Sequence, residues 1–251
     1  MEISAACHLH SSWSYDGSWP LETLSASFAD RGYQVLLMTE HDRGFTETRL
    51  LQYREACSAV SSDKLLVIPG IEYSDADNRV HVLVWGPVPF LGEGLPTRQM
   101  LEAVRAHHGV AVLAHPARKS AWKLYEPEWA DLLLGIEAWN RKYDGWAPGR
   151  MNTSFRQSDA LIRFVGLDFH TRRQFFPLSM MLTLDGKITE HAVIQTLRSN
   201  RCSARAFGLP LTSTILSRAI LLLNAAESTR KTISSFLRSS KVLTRRAKSW
   251  M

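Results

Sequence analysis

Cysteine is sparse in this 251-residue chain. The three present, Cys7, Cys57 and Cys202, are odd in number and widely scattered. That excludes a disulfide framework and points to reduced thiols, hence to a cytoplasmic protein. No basic segment followed by an apolar one opens the chain, so no secretory leader is expected. Long hydrophobic runs are missing too. The longest in the last forty residues is Ala219 to Leu223, far too short to span a bilayer. Nothing reads G-x-G-x-x-G or G-x-x-x-x-G-K-[ST], which removes the common glycine-rich phosphate cradles. Internal repeats are absent as well.

Acidic residues are scarce at one end only. Between 212 and 251, eight cations face Glu227 alone, a net +7, while the other residues carry 22 cations and 23 acids. The formal charge of +6 therefore belongs to the tail, and the body is near neutral. Aromatics in this tail are limited to Phe236 and Trp250, which argues against base-stacking platforms. Two units are expected on this basis: residues 1–211 as the chemical domain and 212–251 as a basic helical extension.

The body is otherwise ordinary, with 45% hydrophobic and 22% charged residues. Short apolar strands alternate with helical stretches. Strands are expected at 3–7, 34–39, 65–71, 80–85, 110–116, 135–140 and 163–170. Helices are expected at 21–30, 46–61, 97–108 and about 150–162. This order predicts an α/β fold with a parallel sheet, either open and doubly wound or closed into a barrel.

Polar residues gather at the strand ends. His8 and His10 follow the first strand, with Asp16 in the next loop. Glu40, His41 and Asp42 follow the second, Glu72 the third, and His81 opens the fourth. His115 ends the fifth, and Asp168 and His170 end the last. Ligands of parallel α/β folds bind at the carboxyl ends of strands. Imidazoles and carboxylates brought together there lose solvation unless cations bind them. Mixed His/carboxylate sets suit Zn, Mn or Fe, and nine such groups suit two or three ions. Residues two apart on a strand face one way, so His8 and His10 can chelate one ion. His107, His108 and His191 lie in helical or loop pattern and are expected to bind none.

The ordered segments "HLHSSWSYDG", "TEHD", "GIEYS" with a following "HVL", "AHP" and "GLDFH" resemble the motifs of the PHP (polymerase and histidinol phosphatase) superfamily. The resemblance covers residues 8–170. It implies a distorted (β/α)7 TIM-like barrel, two or three divalent ions (Mn, Zn or Fe) and phosphoester hydrolysis. It also implies a ligand assignment: His8, His10, Glu72 and Asp168 for a first ion, Glu72 bridging to a second held by His81 and His115, and Asp16, His41 and His170 for a third. Asp16, His41, Glu72, Asp168 and His170 would then be the catalytic set. The last motif departs from the usual Gly-Ser-Asp-Ala-His, with the bulky Phe169 beside the two ligands. The segment 137–149 is similar to an element of some PHP proteins of unassigned substrate.

Several further roles follow as expectations. Arg118, just past "AHP", is a candidate phosphoryl clamp, and Arg172 and Arg173 are weaker ones. Asp42 is expected to orient ligands rather than bind metal. Glu137 and Asn140 could line the pocket, although Glu137 could equally pair with Arg141. The expected reaction is hydrolysis of a small phosphorylated metabolite or nucleotide. A nuclease trimming short RNA or DNA is one alternative. A non-catalytic metal-binding scaffold is another, docking through its basic tail at nucleic acid or an anionic membrane.

Overall fold

The computed structural model describes residues 1–148 and 161–248, the last fifteen of these as backbone only. The helix expected across about 150–162 lies almost wholly outside the described residues. Twelve strands form two six-stranded sheets. The first has the order β12 (Leu209–Pro210), β11 (Cys202–Ala206), β10 (Leu178–Thr183), β1 (Glu2–Leu9), β2 (Val35–Met38) and β4 (Leu66–Ile68). The second runs β3 (Glu40–His41), β5 (Gly70–Ser74), β6 (His81–Trp85), β7 (Val110–Leu113), β8 (Gly135–Asn140) and β9 (Ile162–Gly166).

Two strands pass from one sheet into the other. Thr39 alone separates β2 from β3, and Pro69 alone separates β4 from β5. Proline cannot donate to a ladder, which suits it to that break. Beyond β9 the chain runs beside β1. Cys7 O accepts from Leu167 N at 2.9 Å, His8 O from Phe169 N at 3.1 Å, and Phe169 O from His10 N at 2.9 Å.

The sheet is not all parallel, which corrects the sequence expectation. β6 is antiparallel to both β5 and β7. The reason is local: only six residues join β5 to β6, too few for a crossover. Asp75 turns that connection, accepting from Arg79 N at 2.6 Å and Val80 N at 3.1 Å. His81 therefore stands at the start of a reversed strand, and this puts it at the same rim as the carboxyl ends of the parallel ones. Antiparallel β10 and β11, unforeseen in the sequence, extend the first sheet beyond β1.

Both faces of the central strands are covered, so β1 reads as an apolar run rather than an alternation. Helices α1 (Leu21–Ala29), α2 (Glu47–Val60), α3 (Thr97–Ala106) and α4 (Glu190–Arg198) each bury one side, with Leu24 and Phe28, Tyr53 and Cys57, Leu101 and Val104, and Val193 and Leu197 respectively. Thr46 and Thr189 cap α2 and α4 by accepting backbone N–H bonds. A long helix, α5 (Thr214–Lys248), ends the description. Its Leu216 and Glu227 are buried, and Ile220 and Leu223 pack on the core.

Candidate metal centre

All nine residues singled out as ligands converge at one rim. Glu72, in β5, is buried at the middle. Its Oε1 lies 2.7 Å from His81 Nδ1 and 2.8 Å from His115 Nε2. Its Oε2 lies 3.1 Å from His41 Nδ1, 3.4 Å from His10 Nε2 and 3.5 Å from His8 Nε2. Asp168 faces the same two histidines, with Oδ1 3.8 Å from His8 Nε2 and 3.7 Å from His10 Nε2. On the outer side, Asp16 reaches His41 at 3.3 Å and His170 at 3.1 Å.

Local backbone irregularity delivers these side chains. The pairing of β1 with β2 shifts register between Cys7 and Leu9, and His8 takes a left-handed φ of 63°. The His-x-His pair is thus aimed by a bulge, not by regular strand alternation. His115 (φ 24°) and Asp168 (φ 47°) also sit in the left-handed region. Such conformations persist only where surrounding bonds fix them, and functional sites collect them. The loop carrying Asp16 is tied back by Ser18, whose N and Oγ both donate to His170 O.

Buried acids hold the ligands in place. Glu137 Oε1 accepts from His8 Nδ1 at 2.8 Å, and Glu137 Oε2 accepts from His115 N at 2.7 Å and Asn140 Nδ2 at 2.9 Å. The expected pairing of Glu137 with Arg141 is not what holds it; the Arg141 guanidinium lies over the Phe176 ring. The signal for Glu137 was present in "GIEAWN": an acid inside an apolar strand needs a buried partner. Gly166 makes room, since a Cβ there would strike the Glu137 carboxylate and come within 3.0 Å of His8 Cβ. Glu40 is capped by Ser11 and Ser14, and Asp42 accepts from Ser74 N at 3.1 Å. Neither points to a ligand role, and burial pushes Asp42 up to about 6.

Lys142 is the residue the sequence reading missed. Its ammonium donates to Asp168 Oδ1 at 3.2 Å and lies 3.2 Å from His170 Nε2. Burial opposes its charge, but Asp168, Tyr143 and Glu72 together raise it. Arg118 stands at the rim, donating to Asn78 O and Oδ1 and to Tyr143. Arg172 and Arg173 are exposed on a short turn.

The donor set fits divalent ions. Nε2 of His8 and of His10 are buried without a hydrogen-bond partner, and each ring is anchored through its other nitrogen, by Glu137 and by Ser14. Three groups of mutually close donors follow: His8, Glu72 and His115; His8, His10 and Asp168; His10, His41 and His170. A histidine with one nitrogen held by a carboxylate and the other bare is arranged as metal ligands are.

The proton balance yields a test. Burial works against a charged His8, yet Glu137, Asp168 and Glu72 push it well above its usual range. Burial likewise opposes charge on His41, which Asp16 and Glu72 push up to about 10. Both are therefore protonated at pH 7, and both must lose that proton to coordinate an ion. Metal uptake at pH 7 should release protons, and affinity should rise with pH toward about 10. Calorimetric titration with Mn²⁺ in two buffers of different ionisation enthalpy measures this; equal heats in both would contradict it.

With this geometry in hand, comparison with solved structures is informative. A two-domain protein from Bacteroides vulgatus, described as containing a predicted PHP-like metal-dependent phosphoesterase, superposes with a TM-score of 0.63 at 17% identity, over 88% of this chain and 69% of that one. The fold of this chain is similar to that of such a PHP-like protein. PsfC from Pseudomonas syringae gives 0.59 at 13% identity over 91% and 98%. The lesion-specific endonuclease EndoQ of Pyrococcus furiosus gives 0.56 at 14% identity, over 79% of this chain and 56% of the endonuclease. No family profile matches the sequence, and no curated protein matches it. At these identities the PHP likeness is one of fold. Among the described residues, no helix is long and apolar enough to cross a membrane.

Proposed function

We propose that the chain hydrolyses a phosphoester at a divalent metal centre. The observation that carries this is Glu72: one buried carboxylate has imidazoles on both oxygens, as a bridge between two ions requires. The Leu167–Cys7 and Phe169–His8 backbone bonds support a ring of strands closed as the distorted (β/α)7 barrel. His8, His10, Glu72 and Asp168 would hold one ion, and Glu72, His81 and His115 a second; Asp16, His41 and His170 form the outer set. Ions there supply charge neutralisation at phosphoryl oxygens and lower the pKa of water to about 7. Mn, Zn and Fe all suit these donors.

The chain's own groups supply the rest. Arg118 is held by Asn78, itself 2.6 Å from His81, and a guanidinium fixed beside the donor cluster supports its role as a phosphoryl clamp. Tyr15, exposed and stacked on His41, lines a cleft of about 290 Å³ together with His41, Asn78 and His81. That opening suits a small phosphorylated metabolite or nucleotide. The test is a screen over nucleotides, sugar phosphates and short RNA and DNA, with and without chelator. Phosphate release that chelator stops and added metal restores supports the reading. Endonucleolytic products without monoester release would move it to a nuclease, and silence across all classes with full metal loading would leave a non-catalytic scaffold.

The tail supports a second role, docking on an anionic lipid surface. α5 exposes Ile215, Leu221, Leu222 and Ile233, and its one acid, Glu227, is turned inward onto Arg230. Large exposed aliphatics in a segment that carries eight cations and one acid suit lipid headgroups and acyl chains better than bases. Lys231 donates to Asp144 O at 3.3 Å and so belongs to the body. Truncation after Ile233 should spare hydrolysis of a small phosphate ester. It should also weaken sedimentation with phosphatidylserine vesicles in a salt-dependent way. Unchanged vesicle binding, or loss of RNA binding alone, would contradict the lipid assignment.

A further inference from the structure

Lys142 enters the ligand cluster from a turn built to hold it. Asn140, fully buried, accepts at Oδ1 from Lys142 N and Tyr143 N, both at 3.1 Å, and donates through Nδ2 to Glu137 at 2.9 Å. Asn140 N in turn donates to Asp144 Oδ2 at 2.8 Å. Behind the turn, the buried Glu227 of α5 fills the space where a Cβ on Gly145 would stand. The turn is braced on both sides, and the Lys142 side chain is 29% exposed.

The ammonium occupies a cation's place. It lies 3.2 Å from Asp168 Oδ1, 3.2 Å from His170 Nε2 and 3.4 Å from His170 Nδ1. His170 Nδ1 is also 2.9 Å from the Asp168 carbonyl oxygen. That bond leaves Nε2 as the nitrogen for coordination, and it is the nitrogen that faces both Asp16 and Lys142. An ion on Asp16, His41 and His170 would sit next to a fixed positive charge, and like charges at such range repel strongly. Of the inner donors, Asp168 touches Lys142 through Oδ1, whereas His8, His10, Glu72, His81 and His115 share no hydrogen bond or ion pair with it.

Resting on the metal-centre reading above, we propose that Lys142 is the built-in cation of the outer set, so that the chain binds two divalent ions where its donors could hold three. Asp16, His41 and His170 then present a lysine-neutralised wall to the substrate. Charge, not bulk, carries the effect.

The test is equilibrium titration of the metal-stripped full chain with Mn²⁺, counting bound ions by elemental analysis after desalting. Wild type should hold about two ions per chain, Lys142→Leu about three, and Lys142→Arg about two. Melting curves of each variant with and without Mn²⁺ check that each is folded. A wild-type count of three overturns the proposal whatever the variants do. So does a Lys142→Leu count equal to a wild-type count of two, and in both cases the metal-centre reading survives. A wild-type count near zero overturns both.

Discussion

Replacing Glu72 with alanine should abolish phosphoester hydrolysis, with a fall in kcat/KM beyond about 10³-fold. Loss of one preorganised electrostatic group costs about 10²–10³ in rate, and Glu72 serves two ion positions at once. Burial alone would raise its carboxyl, but His81, His8, His115 and His41 together hold it well below the usual range. It is therefore an anion at neutral pH. Elemental analysis should show both inner ions lost. Asp168→Ala should lose the first ion and keep the second, because the first position needs Asp168 beside His8 and His10, whereas the second keeps Glu72, His81 and His115. Wild-type turnover with full metal occupancy in either variant would refute the assignment.

Glu137→Ala should be costly in a different way. The side chain touches no other carboxylate and reaches the cluster only through His8, His115 N and Asn140. Its removal leaves three buried donors without an acceptor, each worth about 1–3 kcal/mol, so a loss of about 3 kcal/mol or more is expected in urea unfolding. Metal affinity should fall about 10–100-fold, as when the outer partner of a ligating histidine is removed. Glu137→Gln keeps one acceptor oxygen and should recover part of both losses. An alanine variant with wild-type affinity and stability would show that His8 is positioned by other contacts.

The gathering of the candidate ligands was legible because their motifs come in a fixed order at or near strand ends. His8, His10, His41, His81, His115 and His170 do meet around Glu72, Asp16 and Asp168, as their positions along the chain suggested. Topology was less legible. An apolar run such as "VHVLVW" has no direction, so the reversal of β6 is visible only in the six-residue connection that Asp75 turns. β10 and β11 follow the last motif, where no chemical residue draws the eye. Lys142 gave no signal at all: a lysine in a turn is ordinarily solvated, and only the folded Asn140 network points it inward. In the tail, helical spacing sets Ile215, Leu216, Ile220 and Leu223 on one apolar stripe; Leu216, Ile220 and Leu223 do face the core, whereas Ile215 is exposed.

The most direct test of the account is the metal content of the 251-residue chain purified without chelator, set beside that of Glu72→Ala. The account predicts at least about one Mn, Zn or Fe ion per wild-type chain and a near-total loss in the variant, given the affinities of such donor sets. Folded wild-type protein with less than about one ion per chain that takes up none on titration, or a variant that retains the wild-type content, would contradict it.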